Sequence, residues 1–161
     1  MKIYIRKGKV EDLPSVLNLI RELADYERSP DEVEVSIQEM ENWGFGKEKV
    51  FDFFVAEVDA QILGIALYYF KYSTWKGKCI FLEDIIVHAP YRGKGIGKQL
   101  FQKVVGIAKE EKVRRLEWQV LNWNHSALEF YKNMGSEFDN EWINCKLPEK
   151  EIIRFSEDMG K

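Results

Sequence analysis

A strand, a glycine-rich turn and a helix follow one another between residues 85 and 108, and this segment constrains the chain most. Residues 85–87 are apolar, Gly93, Gly95 and Gly97 occupy alternate positions, and apolar residues then recur at helical spacing. Glycines let a backbone approach a ligand closely, and the unpaired N–H groups of a helix start suit a pyrophosphate. The spacing fits neither a Rossmann fingerprint nor a Walker loop. We therefore predict an anion site; three glycines in a hairpin are the alternative, which the long helix that follows disfavours.

The periodicity of the whole sequence predicts one α+β domain over residues 1–161. A chain of 161 residues has the usual size for a single hydrophobic core. Strands are predicted at residues 2–6, 51–58, 62–72, 79–87, 115–120 and 142–147, and helices at 10–24, 96–108 and 126–134. Ser36 can cap a further short helix that ends before Gly44. This order is not a regular βαβ alternation, so we expect a mixed, mostly antiparallel sheet flanked by helices.

The composition excludes several classes of protein. A net charge of −3 argues against general nucleic-acid binding. No segment approaches roughly 18 consecutive apolar residues and the N-terminus lacks a signal-like apolar region, so we expect neither a membrane protein nor a secreted one. Cys79 and Cys145 form no C-x-x-C motif and no Cys/His cluster, so neither a disulfide scaffold nor a metal site is predicted. The cytoplasm is the expected location.

Charge is distributed unevenly along the chain. Residues 21–41 contain eight acidic and two basic side chains, whereas residues 92–115 contain eight basic and two acidic ones. Two solvated helix faces would explain this pattern. The alternative is a site for a cation and a site for an anion on one domain.

The glycine segment resembles a known family. Arg92, Gly95 and Gly97 fit the pattern Arg/Gln-x-x-Gly-x-Gly/Ala, which is similar to the acetyl-CoA signature of the GCN5-related N-acetyltransferases (GNAT). Further segments occur in the same order as in diamine acetyltransferases, the spermidine/spermine and thialysine N-acetyltransferases, at residues 22–27, 44–46, 68–70, 72–78, 82–84, 123–124 and 130–132. The resemblance covers nearly the whole chain and implies the GNAT fold. It is closer to the thialysine branch, because the polyamine branch typically has an aspartate where Ser73 stands.

The resemblance implies acetyl-CoA as the co-substrate and no metal. In such enzymes the strand before the glycine loop separates from its neighbour, and its free backbone groups pair with the pantetheine arm. The residues expected to bind the cofactor are Ile85, Ile86, Val87, Arg92, Gly93, Lys94, Gly95, Ile96, Gly97, Lys98, Asn124, Ala127 and Tyr131.

The resemblance also implies two catalytic residues. Tyr131 is expected to be the general acid for the leaving thiolate, and a buried core aromatic is the alternative. Glu83 is expected to take the proton of the amine through water. Glu83 and Asp84 lie in an otherwise apolar strand, where burial raises the pKa of a carboxyl group unless it has partners, so either a salt bridge or a cation site explains them.

A pocket for a cationic amine is the third expectation. Its residues would be Tyr26, Glu27, Glu83, Asp84, Trp118, Gln119 and Trp142, although the aromatic ones could equally be core. His88 and His125 join no triad and no metal cluster, and we interpret both as bystanders.

These observations predict an enzyme that transfers acetyl directly, in a ternary complex, to a primary amine of a small diamine, a polyamine or a thialysine-like amino acid. Acetylation of proteins or peptides is one alternative, and an acyl-CoA-binding regulatory module without turnover is another. The resemblance further implies a homodimer, while the composition predicts no nucleic-acid or membrane partner.

Overall fold

The computed structural model describes residues 2–159 in two compact units, the first reaching to Gln119 and the second beginning at Val120. The first unit contains the strands β1 (Tyr4–Lys7), β2 (Asp52–Val58), β3 (Gln61–Ser73), β4 (Gly77–Val87) and β5 (Leu116–Glu117) and the helices α1 (Leu13–Tyr26), α2 (Ile37–Phe45) and α3 (Ile96–Glu110). The second unit contains the helices α4 (His125–Asn133) and α5 (Glu149–Asp158). A single domain over the whole chain stays a prediction.

The five strands form one sheet in the order β1-β2-β3-β4-β5. The first four pair antiparallel, and β5 pairs parallel with β4 through two residue pairs, Ile80 with Leu116 and Phe81 with Glu117. Helices cover the sheet, so the predicted α+β class with a mixed, mostly antiparallel sheet is confirmed. Within residues 2–159, no helix is both long and apolar enough to cross a membrane.

The two long helices of the first unit pack on opposite faces of the sheet. Apolar residues of α1, including Leu13 and Val16, share a core with Ile65 and Leu67 of β3. The other face of β3 meets α3 at Gly64, where a Cβ atom would lie 3.1 Å from the Leu100 side chain. Because side chains alternate along a strand, odd-numbered residues of this part of β3 face α1 and even-numbered ones face α3.

Residues 142–147 are not a strand, which corrects the sequence prediction. They have no regular secondary structure, and no strand is described between residues 120 and 159 of the second unit, so the alternating pattern has no ladder to join. The helix α5, which the sequence analysis missed, follows directly. Pro148 precedes it, and Glu149 and Glu151 lie in its first turn, where negative charge favours a helix start.

Two predicted boundaries are also wrong. The strand predicted at residues 115–120 is limited to the two residues of β5, because the chain stops pairing with β4 after Glu117. The second helix does not end before Gly44 but continues through Phe45, and the N–H of Gly46 closes its last turn on the Asn42 carbonyl. Gly44 fits inside this helix because its missing side chain leaves room for the Phe51 ring.

Candidate active site

The glycine loop (residues 93–98) takes a backbone conformation that requires glycine at two positions. Gly93 and Gly95 have φ angles of 73° and 80°, in the left-handed region that other residues rarely adopt. Gly95 is the N-cap of α3, and no side chain caps the helix. The first N–H groups of an α-helix have no acceptor within it. The loop therefore presents backbone donors at the positive end of the helix dipole, as the sequence predicted.

The backbone of β4 has outward-facing groups just before this loop. The N–H of His88 donates to the carbonyl of Leu63 at 2.8 Å, and the register is regular from Val87 back to Asp84. Because bonded and non-bonded pairs alternate in an antiparallel ladder, Ile86 pairs with β3, whereas the N–H and C=O groups of Ile85 and Val87 point away from it. Across the described chain, no strand pairs with this edge of β4 beyond the two residues opposite β5.

The basic side chains of the loop differ in what they contact. The Arg92 Nε atom donates to the carbonyl of Val87 at 2.9 Å, and its guanidinium lies 5.1 Å from the centre of the Tyr26 ring. The Lys94 ammonium lies 4.7 Å from the centre of the Tyr91 ring, and Lys98 is exposed. Arg92 thus also joins the loop to β4 and α1, a role that the sequence did not reveal.

A β-bulge in β4 brings two acidic residues to the same face of the sheet. Leu67 pairs with Asp84, but its neighbour Tyr68 pairs with Leu82, so Glu83 is the extra residue. Asp84 therefore lies on the face of Leu67, which packs against α1. Strict alternation would have placed Glu83 on the other face.

The position of Glu83 follows from its contact with Tyr69, which lies on the same face of β3 as Leu67. Burial and the negative charge of the nearby Glu83 raise the pKa of Tyr69 to about 12. The bulge therefore turns consecutive carboxyl groups towards the side of the sheet covered by α1, whose C-cap residue is Glu27.

Electrostatics shows that these carboxyl groups form one cluster, Glu27, Glu83 and Asp84. Burial, together with the charges of Glu83 and Glu27, raises the pKa of Asp84 to about 7. Burial also raises the pKa of Glu27. Among the described residues no ion pair is formed by Glu83 or Asp84. Of the two explanations that the sequence leaves open for Glu83 and Asp84, a salt bridge is therefore not found. A bound cation would relieve the repulsion among the three carboxyl groups.

Three other residues predicted for the amine pocket lie in the first unit. Tyr26 is exposed and is in contact with Arg92. Trp118 packs edge-on against Phe101 of α3 at 5.5 Å between ring centres, so it lies towards the face opposite the carboxyl cluster. Gln119 is exposed. Trp118 is half-buried, and its predicted place in the amine pocket stays a prediction.

The remaining predicted residues belong to the second unit. Asn124 is the N-cap of α4, and its side-chain oxygen accepts the N–H of Ala127 at 3.2 Å. Tyr131 lies about two turns further along α4, is buried with 5% exposure and packs edge-on against Phe130. Trp142 is 72% exposed in the irregular segment. These residues keep their predicted roles as predictions.

His88, which the sequence analysis interprets as a bystander to triads and metal clusters, has a side-chain partner in α1. Its Nδ1 atom lies 2.6 Å from the carboxylate of Glu22 in α1. The signal was weak, because a lone histidine and a helical glutamate 66 residues apart share no motif. His125 is exposed. Within residues 2–159 no group of three or more acidic, histidine or cysteine side chains could hold a metal ion.

A family model described as the acetyltransferase (GNAT) family matches residues 13–136, which include the carboxyl cluster, the glycine loop and α4. The chain belongs to the GNAT family. It is therefore an acyltransferase that acetylates an amine, and the family predicted from the glycine segment is confirmed.

Individual relatives show how far the GNAT chain resembles named proteins. The thialysine N-epsilon-acetyltransferase of Bos taurus is 40% identical over 162 residues, which cover 94% of this chain and 95% of that protein. The spermidine/spermine N(1)-acetyltransferase-like protein 1 of Homo sapiens is 33% identical over 139 residues, covering 82% of this chain and 20% of that protein. An integron cassette protein from the mobile metagenome of V. cholerae has the same fold, with a TM-score of 0.79 at 24% identity, and covers 97% of this chain and 98% of its own.

Proposed function

We propose that this GNAT enzyme uses acetyl-CoA to acetylate a primary amine of a thialysine-like amino acid or a small diamine. The observation that carries the substrate class is the cluster of Glu27, Glu83 and Asp84, which has no cationic partner in the described chain. An amine with a pKa of roughly 10.4 arrives as a cation at neutral pH and suits such a cluster. The thialysine enzymes among the relatives support the same choice.

The residues around the glycine loop fit the co-substrate. The outward N–H groups of Ile85 and Val87 and the C=O group of Ile85 suit the pantetheine arm, and the backbone of residues 93–98 suits the pyrophosphate. Arg92, Lys94 and Lys98 add positive charge, and we infer that Asn124 and Ala127 flank the cofactor. Bound there, acetyl-CoA supplies the thioester carbon that the amine attacks. One outward N–H of β4 is suited to stabilise the thioester oxygen as negative charge develops on it.

Two carboxyl groups are proposed to accept the proton of the amine. The resemblance assigns this role to Glu83, acting through water. A pKa of about 7 makes Asp84 a second acceptor, because a general base works best when its pKa is near the working pH. Both groups hold the substrate as a cation and then accept its proton, which leaves a neutral amine that can attack the thioester carbon directly.

Tyr131 is proposed to donate a proton to the leaving CoA thiolate. A phenol keeps its proton at neutral pH and can therefore act as a general acid. The family resemblance supports this role, and no covalent enzyme intermediate is needed. The reaction then takes place in a ternary complex of enzyme, acetyl-CoA and amine. We further propose that the enzyme works as a cytoplasmic homodimer, which the resemblance alone supports.

A substrate panel tests the proposal. The purified enzyme is incubated with acetyl-CoA and, separately, with thialysine, lysine, putrescine, spermidine, spermine and a lysine-containing peptide, and the released thiol is measured. We expect thialysine or a short diamine to give a higher kcat/KM than spermine. Spermine as the best substrate would refute the branch assignment. Turnover of the peptide alone would favour a protein acetyltransferase, and cofactor binding without turnover of any amine would favour a regulatory module.

A further inference from the structure

We propose that Glu22 is a positioning residue for acetyl-CoA binding, because its carboxylate fixes the segment that joins β4 to the glycine loop. We refer to four residues as the Glu22 cluster: Glu22, His88, Ala89 and Arg92. The inference rests on the proposed function, since binding of acetyl-CoA at residues 93–98 is itself a proposal.

Both oxygens of the Glu22 carboxylate contact this segment. Oε1 accepts the N–H of Ala89 at 2.8 Å, and Oε2 lies 2.6 Å from Nδ1 of His88. Ala89 is the first residue of the 3₁₀ turn Ala89–Tyr91, so its N–H has no acceptor within that turn. Glu22 supplies the acceptor from α1, a different element. Two consecutive residues of the segment are thus held by one side chain.

Arg92 ties the far end of the same segment. Its Nη2 atom lies 3.8 Å from Oε1 of Glu22, while its Nε atom bonds back to the carbonyl of Val87. Its guanidinium also covers the ring of Tyr26, one helical turn after Glu22. The chain from residue 87 to residue 92 is therefore a closed loop attached to α1. Gly93 follows immediately, so this attachment sets where the glycine loop begins.

The charge of Glu22 cannot be explained by attraction of the cofactor. Burial disfavours the ionised form, but the hydrogen bonds with His88 and Ala89 outweigh it and lower the pKa of Glu22. Glu22 is consequently an anion at neutral pH beside a site proposed for a pyrophosphate, which it repels. A carboxylate at this place is consistent with a role in holding the loop through its hydrogen bonds.

Three variants test this role through acetyl-CoA. Glu22→Ala removes both hydrogen bonds, Glu22→Gln keeps an acceptor for Ala89 and a donor for His88, and Glu11→Ala removes an exposed carboxylate that lines the same 610 Å³ surface pocket. We expect Glu22→Ala to raise the Kd and the KM of acetyl-CoA about tenfold, with kcat and the KM of the amine within about twofold. Glu22→Gln is expected within about threefold of the parent, and Glu11→Ala unchanged.

Several outcomes would overturn the proposal. The first is an unchanged Kd of acetyl-CoA in Glu22→Ala, and the second is an equal rise of this Kd in Glu11→Ala. The third is a Kd in Glu22→Gln as high as that in Glu22→Ala, which would indicate that the charge of Glu22 matters and not its hydrogen bonds. A purely structural role of Glu22 would lower the melting temperature without separating the KM of acetyl-CoA from that of the amine.

Amide hydrogen exchange without cofactor tests the Glu22 cluster independently of the proposed function. The amide of Ala89 should exchange slowly in the parent and in Glu22→Gln, and faster in Glu22→Ala. If Glu22→Ala does not fold, His88→Ala removes only the half-exposed histidine and should raise the Kd about two- to threefold. An unprotected Ala89 amide in the parent would refute the cluster. A protected amide in a parent that does not bind acetyl-CoA would instead refute the proposed function.

Discussion

The two ends of the second half of β4 present their polar groups in different ways. At the bulge, carboxyl side chains of Glu83 and Asp84 are turned to one face and interact with Glu27. At the other end, the glycine loop has no side chain in the critical positions and presents backbone groups instead. The placement of the side chains at the bulge depends on the register of two strands, whereas the conformation of the loop depends on the φ angles of single residues. The two regions should therefore respond differently to substitution.

The largest effect is expected at the loop. Gly95→Val places a β-branched residue at a φ of 80°, which it does not adopt without strain of roughly 1–3 kcal/mol. Acetyl-CoA should raise the melting temperature of the parent by mass action, and this shift should be absent in the variant while the protein without cofactor remains folded. Gly106→Ala in the same helix is the control, since a Cβ there meets nothing within 4 Å. Equal shifts in parent and Gly95→Val would contradict the assignment of the loop.

Substitution of a side chain with a chemical role should instead lower turnover and leave the binding of acetyl-CoA nearly unchanged. Tyr131→Phe keeps the ring that packs on Phe130 and removes one hydroxyl. We expect turnover to fall by roughly 10²-fold or more, with little change in the Kd of acetyl-CoA. Steady-state kinetics and calorimetric titration measure the two quantities. If turnover is unchanged although the chemical step limits the rate, Tyr131 is a packing residue.

The same contrast explains what the sequence could predict. Gly93 and Gly95 reveal the loop because only glycine adopts these φ angles freely, and the following helix has its own periodicity. The sequence also shows Glu83 and Asp84 as charges in an apolar strand. Their shared face was not predictable, because a bulge is visible only when the partner strand and its register are known.

Contacts between distant segments were likewise hidden. His88 and Glu22 meet because α1 packs on the sheet beside the end of β4, which no local pattern encodes. The strand predicted at residues 142–147 failed for a related reason, since alternation alone does not supply a neighbouring strand. The helices α1 and α3 were predicted well because the apolar face of each is long and regular.

The pH dependence of turnover should distinguish the two carboxyl groups of the bulge. Because Asp84 has a pKa of about 7, kcat/KM of the parent should rise as the pH increases through that value, and it should rise further as the amine loses its own proton. Asp84→Asn should remove the rise near pH 7 and lower turnover about 10- to 100-fold. Glu83→Gln is the matched variant and should weaken both amine capture and turnover but keep the rise. If the rise in kcat/KM near pH 7 is lost in Glu83→Gln but kept in Asp84→Asn, Glu83 is the group that titrates.

Asp84→Asn should lower turnover but raise the stability of the folded protein. The carboxyl group of Asp84 has a higher pKa in the folded protein than in the unfolded chain, so it binds its proton more tightly when folded. Asp84 therefore does not lower the free energy of unfolding below the ordinary carboxyl pKa near 4. It lowers this free energy increasingly as the pH rises towards 7. Asp84→Asn should raise the free energy of unfolding by about 1–2 kcal/mol at pH 8 and by little at pH 4. Urea unfolding at both pH values measures this, and equal effects at the two would disprove the electrostatic cause.

Glu27 should give the smallest effect and the sharpest test of the cluster. In the proposed function its charge attracts the amine, and it also helps to raise the pKa of Asp84. Glu27→Gln should therefore raise the KM of the amine about threefold, leave kcat nearly unchanged, and move the rise in kcat/KM to a pH lower by a few tenths of a unit. Glu32→Gln is the control, because Glu32 is exposed and does not act on Asp84. A rise that stays in place in Glu27→Gln, or moves equally in Glu32→Gln, would show that the carboxyl groups of α1 and the bulge do not act together.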